Sequence, residues 1–164
     1  MQLADLPAVA RIQALAYSAG FIEDDATLRE RLLAHPDTAW VACAAGQAAA
    51  YLVAYRSVLG KITPLGAPFA PSAKTNCLYL HDLAVHPAYS GQGLGPRLVR
   101  HALQVGARGM AWSALVSVQA SQPFWQTLGY QNHLLTGAAQ RQNLATYPGQ
   151  GVYMAQSLMP VLAI

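Results

Sequence analysis

Apolar positions along this chain follow two periods, and each switch between them marks a new element. Near the start, Val9, Ile12 and Ala16 recur at the three-and-four spacing of one helix face. Asp5 stands before them as an N-cap, and Pro7 falls in the first turn, where its missing N–H costs nothing. Asp24 and Asp25 open a second helix, with Leu28, Leu32 and Leu33 expected inward and Arg29, Glu30 and Arg31 mostly outward. His35 before Pro36 ends it. From there the period shortens to two. Residues 38–44 and 48–58 read as strands around Ala45, Gly46 and Gln47. Residues 59–76, with Pro64, Gly66, Pro68 and Pro71, read as a long loop, and such loops in compact domains are often functional. Residues 77–85 form a strand of Leu, Tyr and Val, 87–90 a turn, 94–106 a helix that stops at glycine, and 114–118 a strand. Residues 121–128 form a short helix with Pro123 in its first turn and Gly129 after its end. Residues 130–134 and 152–158 read as closing strands joined by a polar, glycine-rich loop.

No repeat or linker divides this order, which predicts one α/β (α+β) domain over residues 1–164 with a single mixed sheet. A length of 164 residues suits one core. Charged residues are 10% of the chain, against an ordinary value of about 25%. That scarcity suggests apolar surface covered by a partner, such as a second copy in a homodimer. The net charge of +3, with no basic run, argues against a nucleic-acid partner. Residues 39–55 are uncharged, but Gly46 and Gln47 break them into a hairpin, so no membrane span is expected. The first residues lack a basic segment followed by an apolar one, so no signal peptide is expected and the location expected is cytoplasmic. Cys43 and Cys77 lie in apolar stretches and are expected as small buried side chains. No Cys or His spacing points to a metal.

The segment richest in chemistry runs from Leu78 to Val99. A strand passes through a turn into Ser90, Gly91, Gln92, Gly93, Leu94 and Gly95, then a helix carrying Pro96 and Arg97. Alternate glycines let backbone N–H groups converge on a bulky anion, and a helix N-terminus adds partial positive charge. The inference is a phosphate or pyrophosphate site; taken alone, the segment also fits a plain tight turn before a helix. A dinucleotide fingerprint would need glycine where Pro96 stands, and a Walker loop would need Gly-Lys-Ser or Gly-Lys-Thr. In the helix, Leu94, Leu98, Ala102 and Val105 share one face, while Arg97, Arg100, Gln104 and Arg108 share another. Arg97 and Arg100 lie close enough to its start to assist a polyanion.

This loop resembles the coenzyme A motif of the GNAT acetyltransferase superfamily, Arg/Gln-x-x-Gly-x-Gly/Ala after a Leu-x-Val-x-Pro strand end. Gly93 and Gly95 match the small positions, and Leu83-Ala84-Val85-His86-Pro87 matches the strand end; Ser90 replaces the usual Arg or Gln. The run from Pro123 to Tyr130 resembles the superfamily's Phe-Tyr-x-x-x-Gly-Phe segment. The resemblance covers the chain from Asp5 onward, with the usual first strand truncated. It implies a mixed, mostly antiparallel sheet, helices on both faces and two splayed central strands. It also implies acetyl-CoA as co-substrate and no metal. The backbone of Leu83, Ala84 and Val85 would pair with the pantetheine arm, one N–H polarising the thioester carbonyl. Ser90 to Arg97, Ser121, Phe124 and Trp125 would complete the cofactor site.

Acetyl transfer needs a neutral amine, and an alkylamine with a pKa near 10 is almost wholly protonated at neutral pH. His81 is the candidate base, because imidazole suits proton transfer near neutrality. Tyr79 and His81 share one strand face by the period of two, with Asp82 expected on the other. The strand resembles the serotonin (arylalkylamine) N-acetyltransferase branch, which carries two histidines two residues apart; His81 matches the second and Tyr79 replaces the first. The superfamily's acidic Tyr is Trp125 here, leaving Tyr130 and Ser121 as substitutes, and His86 reads as structural. The connection between the first two helices is expected to line the acceptor mouth, with Phe21 and Glu23 meeting a cationic, partly apolar small-molecule amine. Asp24 and Asp25 in the same stretch also serve as helix caps. Two other readings stay open: acetylation of protein N-termini or lysines, and an acyl-CoA-binding domain without chemistry.

Overall fold

A hairpin starts the sheet. In the computed structural model, which describes residues 1–70 and 72–159, strand β1 (Ala39–Ala44) turns into β2 (Gln47–Ser57) through Ala45 and Gly46. Both turn residues are left-handed, with φ of 49° and 76°, the geometry that matches the twist of a two-residue hairpin. β2 pairs antiparallel with β3 (Cys77–Val85), which pairs parallel with β4 (Trp112–Ser117). β4 then pairs antiparallel with β6 (Val152–Ser157), and β6 with the two-residue β5 (Gln131–Asn132). The order is β1-β2-β3-β4-β6-β5. The single parallel pair requires a crossover, supplied by helix α3 (Leu94–Val105).

Helices cover both faces, as expected. One core holds Val9 and Ile12 of α1 (Leu6–Ala16) and Leu28 and Leu32 of α2 (Asp25–Ala34), packed on Tyr51, Tyr55, Cys77, Tyr79 and Ala84. The other holds Leu98, Val99 and Ala102 of α3 and Trp125 of α4 (Gln122–Thr127), packed on Leu52, Leu78, Leu80 and Leu115.

Several expectations are corrected. A polar helix, α5 (Ala138–Leu144), stands where a loop was expected. It lacks an apolar stripe and is held by hydrogen bonds to the 59–76 loop, from Ile62 N–H to Gln140 and from Asn143 to the Ile62 carbonyl. The strand expected over 130–134 shrinks to β5. Residues Leu3–Asp5 form a turn of 3-10 helix, and the Asp5 carboxylate accepts from Gln2 N–H at 2.7 Å rather than capping α1. Leu33 is 58% exposed, whereas Arg31 is buried. The apolar stripe of α2 is therefore Leu28, Arg31 and Leu32, the i, i+3, i+4 positions. Cys43 is exposed and only Cys77 is buried. No helix among the described residues is long and apolar enough to cross a membrane, and they contain no cluster of three or more potential metal ligands.

Candidate active site

Two features of β3 create the site. Its pairing with β4 ends at Leu80 and Leu115, although β3 runs on to Val85 and β4 to Ser117. The two strands splay apart, and among the described residues no strand pairs with that edge of β3 past Leu80. The second feature is a bulge: Val53 pairs with Asp82 and the next residue, Ala54, with Leu80, so His81 is the extra residue. The bulge shifts the alternation by one. Cys77 and Tyr79 face α1 and α2 before it, Asp82 and Ala84 after it. His81 points the same way, against Glu23 and Phe69. Asp82 therefore shares the face of His81, where a strict period of two put it opposite.

Between the splayed strands lies a cleft of about 310 Å³. Leu83, Ala84, Val85, Ser121, Phe124 and Trp125 line one end, and Tyr17, Phe21, Glu23, Leu65, His81 and Tyr147 the other. The glycine loop meets the first end at Gly95. A Cβ there would lie 3.4 Å from Phe124 and 3.6 Å from Val85, both cleft residues, so glycine lets the first turn of α3 press against them. Gly91 and Gly93 have φ of 76° and 74°, with open space where a Cβ would stand. They serve backbone shape, while Gly95 serves close approach. Leu94 and Gly95, the first residues of α3, have no preceding carbonyl to bond. Ser90, Gln92 and Arg97 are exposed around this helix start. His86 caps the preceding turn, its Nδ1 accepting from Ala88 N–H at 3.1 Å, which is the structural role expected.

His81 lines the cleft with its side chain 2% exposed. Its Nε2 lies 3.4 Å from Glu23 Oε2, and its Nδ1 is buried without a hydrogen-bond partner. Glu23 is not the free carboxylate that its place before a helix cap suggested. Both its oxygens pair with the Arg31 guanidinium, Oε1 also accepts from Gly66 N–H at 2.8 Å, and its side chain is 3% exposed. Burial pushes its pKa up, but His81 and Arg31 together outweigh burial and hold it at about 2. Asp24 caps α2 by accepting from Thr27 N–H at 2.7 Å, and neither Asp24 nor Asp25 lines the cleft. Phe21 lines it as expected, with its ring 6.3 Å from that of Tyr17.

Tyr79 shares the face of His81 but lies below the cleft, in the core. Burial raises its pKa well above the ordinary phenol value, so it cannot exchange protons near neutrality. Asp82 was passed over in the sequence and does line the cleft. Tyr51 donates to its Oδ2 at 2.6 Å, and Tyr17 lies 2.8 Å from both its Oδ1 and the Leu83 carbonyl. Tyr17 thus shares its hydroxyl between the two acceptors. Burial, its largest influence, raises the Asp82 pKa, against the lowering by the Tyr51 and Tyr17 hydroxyls and His81.

Neither substitute for the acid has the freedom required. Tyr130 is buried and hydrogen-bonded to Ser113 at 2.7 Å, away from the cleft. Ser121 accepts from Trp125 Nε1 at 3.2 Å and shares a hydrogen bond of 3.0 Å with Ser117. Trp125 closes the β4 side of the cleft, its ring edge-on to Phe124 and Tyr130.

A family model described as "Acetyltransferase (GNAT) family" matches residues 6–130. No curated protein matches the sequence. Among solved structures, GphF, a GNAT-like decarboxylase in complex with isobutyryl-CoA, is similar in fold with a TM-score of 0.74 at 18% identity, covering 97% of each chain. The loading GNATL domain of CurA from Lyngbya majuscula gives 0.74 at 17% identity, over 96% of this chain and 94% of that one. The ribosomal-protein-S18-alanine N-acetyltransferase of Escherichia coli gives 0.65 at 20% identity, over all of this chain and 95% of that one.

Proposed function

The chain belongs to the GNAT acetyltransferase family and is an acyl-CoA-dependent acyltransferase, and we propose that it transfers an acetyl group to the primary amine of a small molecule. The observation that carries this reading is the cleft itself: the β3 edge left unpaired by β4 and the His81 imidazole line one space. When bound, acetyl-CoA supplies the activated thioester. The residues fit it. Gly91 and Gly93 leave room for a pyrophosphate beside the start of α3, and beyond Leu80 no β4 strand takes up the outward peptide groups of β3, of which the Leu83 carbonyl is held by Tyr17. Phe124 and Trp125 wall the arm on its other side. His81 takes the acceptor's proton at Nδ1, directly or through water, which frees the amine lone pair.

A small acceptor suits the roof over the far end. Leu65 of the 59–76 loop and Tyr147 close it, tied together by Leu65 N–H to Thr146 at 3.0 Å and Tyr147 to the Thr63 carbonyl at 2.8 Å. Phe21, Tyr17 and Tyr147 there favour an aromatic or otherwise apolar body. The likeness of β3 to the arylalkylamine branch points the same way. Steady-state thiol release from acetyl-CoA with aromatic amines, polyamines and peptides tests the proposal. Turnover with a small apolar amine is expected. Turnover with peptides alone would assign the chain to protein acetylation, and CoA binding without any turnover would make it a non-catalytic domain.

A further inference from the structure

Resting on the reading of His81 as base, we propose that Glu23 is a positioning residue that fixes which imidazole nitrogen does the work. Glu23 is held from three directions. Gln13, buried on α1, brackets its backbone, donating to the Glu23 carbonyl at 2.9 Å and accepting from Glu23 N–H at 3.0 Å. Arg31 grips both carboxylate oxygens from α2 and is itself tied to the Ala67 carbonyl at 2.7 Å, with its guanidinium 4.8 Å above the Phe69 ring. Gly66 N–H supplies the third contact. The far side of the carboxylate faces His81 Nε2 at 3.4 Å.

An ionised carboxylate only accepts, so the imidazole proton belongs on Nε2 and the lone pair on Nδ1. Nδ1 is the buried atom that no protein group satisfies. Once the bound acceptor or a water reaches it, it receives the proton shed by the acceptor ammonium and returns it to water, while Glu23 stabilises the imidazolium in between. The Phe69 ring stands edge-on, 5.1 Å from the imidazole, and restricts its rotation. Arg31 keeps Glu23 ionised and in place, so the arrangement needs both charges.

The other titratable groups around His81 are Asp82 and Tyr79 on its own strand, Tyr17 from the end of α1, Tyr51 on β2, and Tyr147 after α5. The β4 residues that line the cleft, Leu115 and Val116, do not titrate. Glu23 and Arg31 are therefore the ionised pair beside the imidazole, and removing one member leaves the other unbalanced.

The test compares Glu23→Gln, Glu23→Asp and His81→Ala, singly and with Glu23→Gln combined with His81→Ala, using the best amine from the panel. For Glu23→Gln we expect kcat to fall about 10- to 100-fold, with acetyl-CoA affinity and amine KM nearly unchanged. The uncompensated Arg31 charge then disfavours imidazolium, so the acid limb of the kcat/KM profile moves to lower pH. Glu23→Asp should restore part of kcat, and Glu23→Gln should cost under about 2-fold in the His81→Ala background. If Glu23→Gln does not fold, Glu23→Gln with Arg31→Met removes the buried pair together, and the same loss of kcat is expected. A raised amine KM with unmoved kcat and acid limb would overturn the proposal and make Glu23 an acceptor contact. An equal loss in the His81→Ala background would make it a purely structural residue. Normal turnover by His81→Ala alone would refute the base assignment itself.

Discussion

The glycine-loop end of the cleft, where we place coenzyme A, is built from backbone, and the His81 end, where we place the acceptor, from side chains. At the first, left-handed Gly91 and Gly93, the start of α3 and the unpaired edge of β3 present peptide groups, and all lie within about fifteen consecutive residues. At the second, His81, Glu23, Arg31, Phe21 and Tyr147 come from four separate parts of the chain and meet only after folding. In the proposed function the first end would recognise what every acyl-CoA shares, and it is specified locally. The second end would set proton position and acceptor shape, and it depends on long-range packing. Substitutions at the two ends should therefore separate cleanly.

The largest separation is expected from His81→Ala. Turnover should fall 10²- to 10⁴-fold while acetyl-CoA affinity, measured by calorimetry, stays within about 2-fold. An equal loss in both would mean that the two ends are one coupled unit.

Gly93→Val inverts the pattern. A β-branched residue at φ of 74° is strained, so the N–H groups that Gly93 aims should turn away. Acetyl-CoA should no longer raise the melting temperature, as it is expected to for the unaltered chain by mass action. The space around the missing Cβ is open, so the variant should still fold, with a cost of about 1–2 kcal/mol. A retained thermal shift would remove Gly93 from the cofactor site.

Acid stability is a smaller probe of the acceptor end. The Glu23 pKa lies at about 2 in the folded state against an ordinary 4.5. Its contribution is present above about pH 4.5 and is lost as pH falls toward 2. Asp82 acts with the opposite sign. Its raised pKa means that stability is lost as pH rises from the ordinary carboxyl value through the folded one. Urea titrations across pH should show Glu23→Gln flattening the acid limb and Asp82→Asn flattening the loss as pH rises above the ordinary carboxyl value. Parallel curves for the two variants would contradict this pairing of a lowered and a raised carboxyl.

The smallest effect is expected at the mouth. Phe21→Ala should raise the KM of an aromatic amine a few-fold, on the order of 1 kcal/mol of lost contact, and leave acetyl-CoA binding alone. An unchanged KM for every amine tested would take Phe21 out of the acceptor wall.

Local chemistry determined a good part of this protein from the sequence. Glycine is readily accommodated where the backbone is left-handed, and a two-period of Leu, Tyr and Val makes a strand. The turn at Ser90 to Gly95 running into a helix and the pairing of helices with strands were therefore legible, and the family motif added the splay. Tertiary structure decided the rest. A bulge depends on which partner strand is alongside, so the reversal of Asp82 onto the face of His81 leaves no mark in the alternation of β3. Arg31 did leave a mark, at the i+3 position of the apolar stripe of α2, but a charged residue there is buried only when a carboxylate waits for it. That carboxylate lies eight residues away, fixed by Gln13 on another helix, and it becomes chemical only because a strand from the middle of the sheet brings His81 within 3.4 Å.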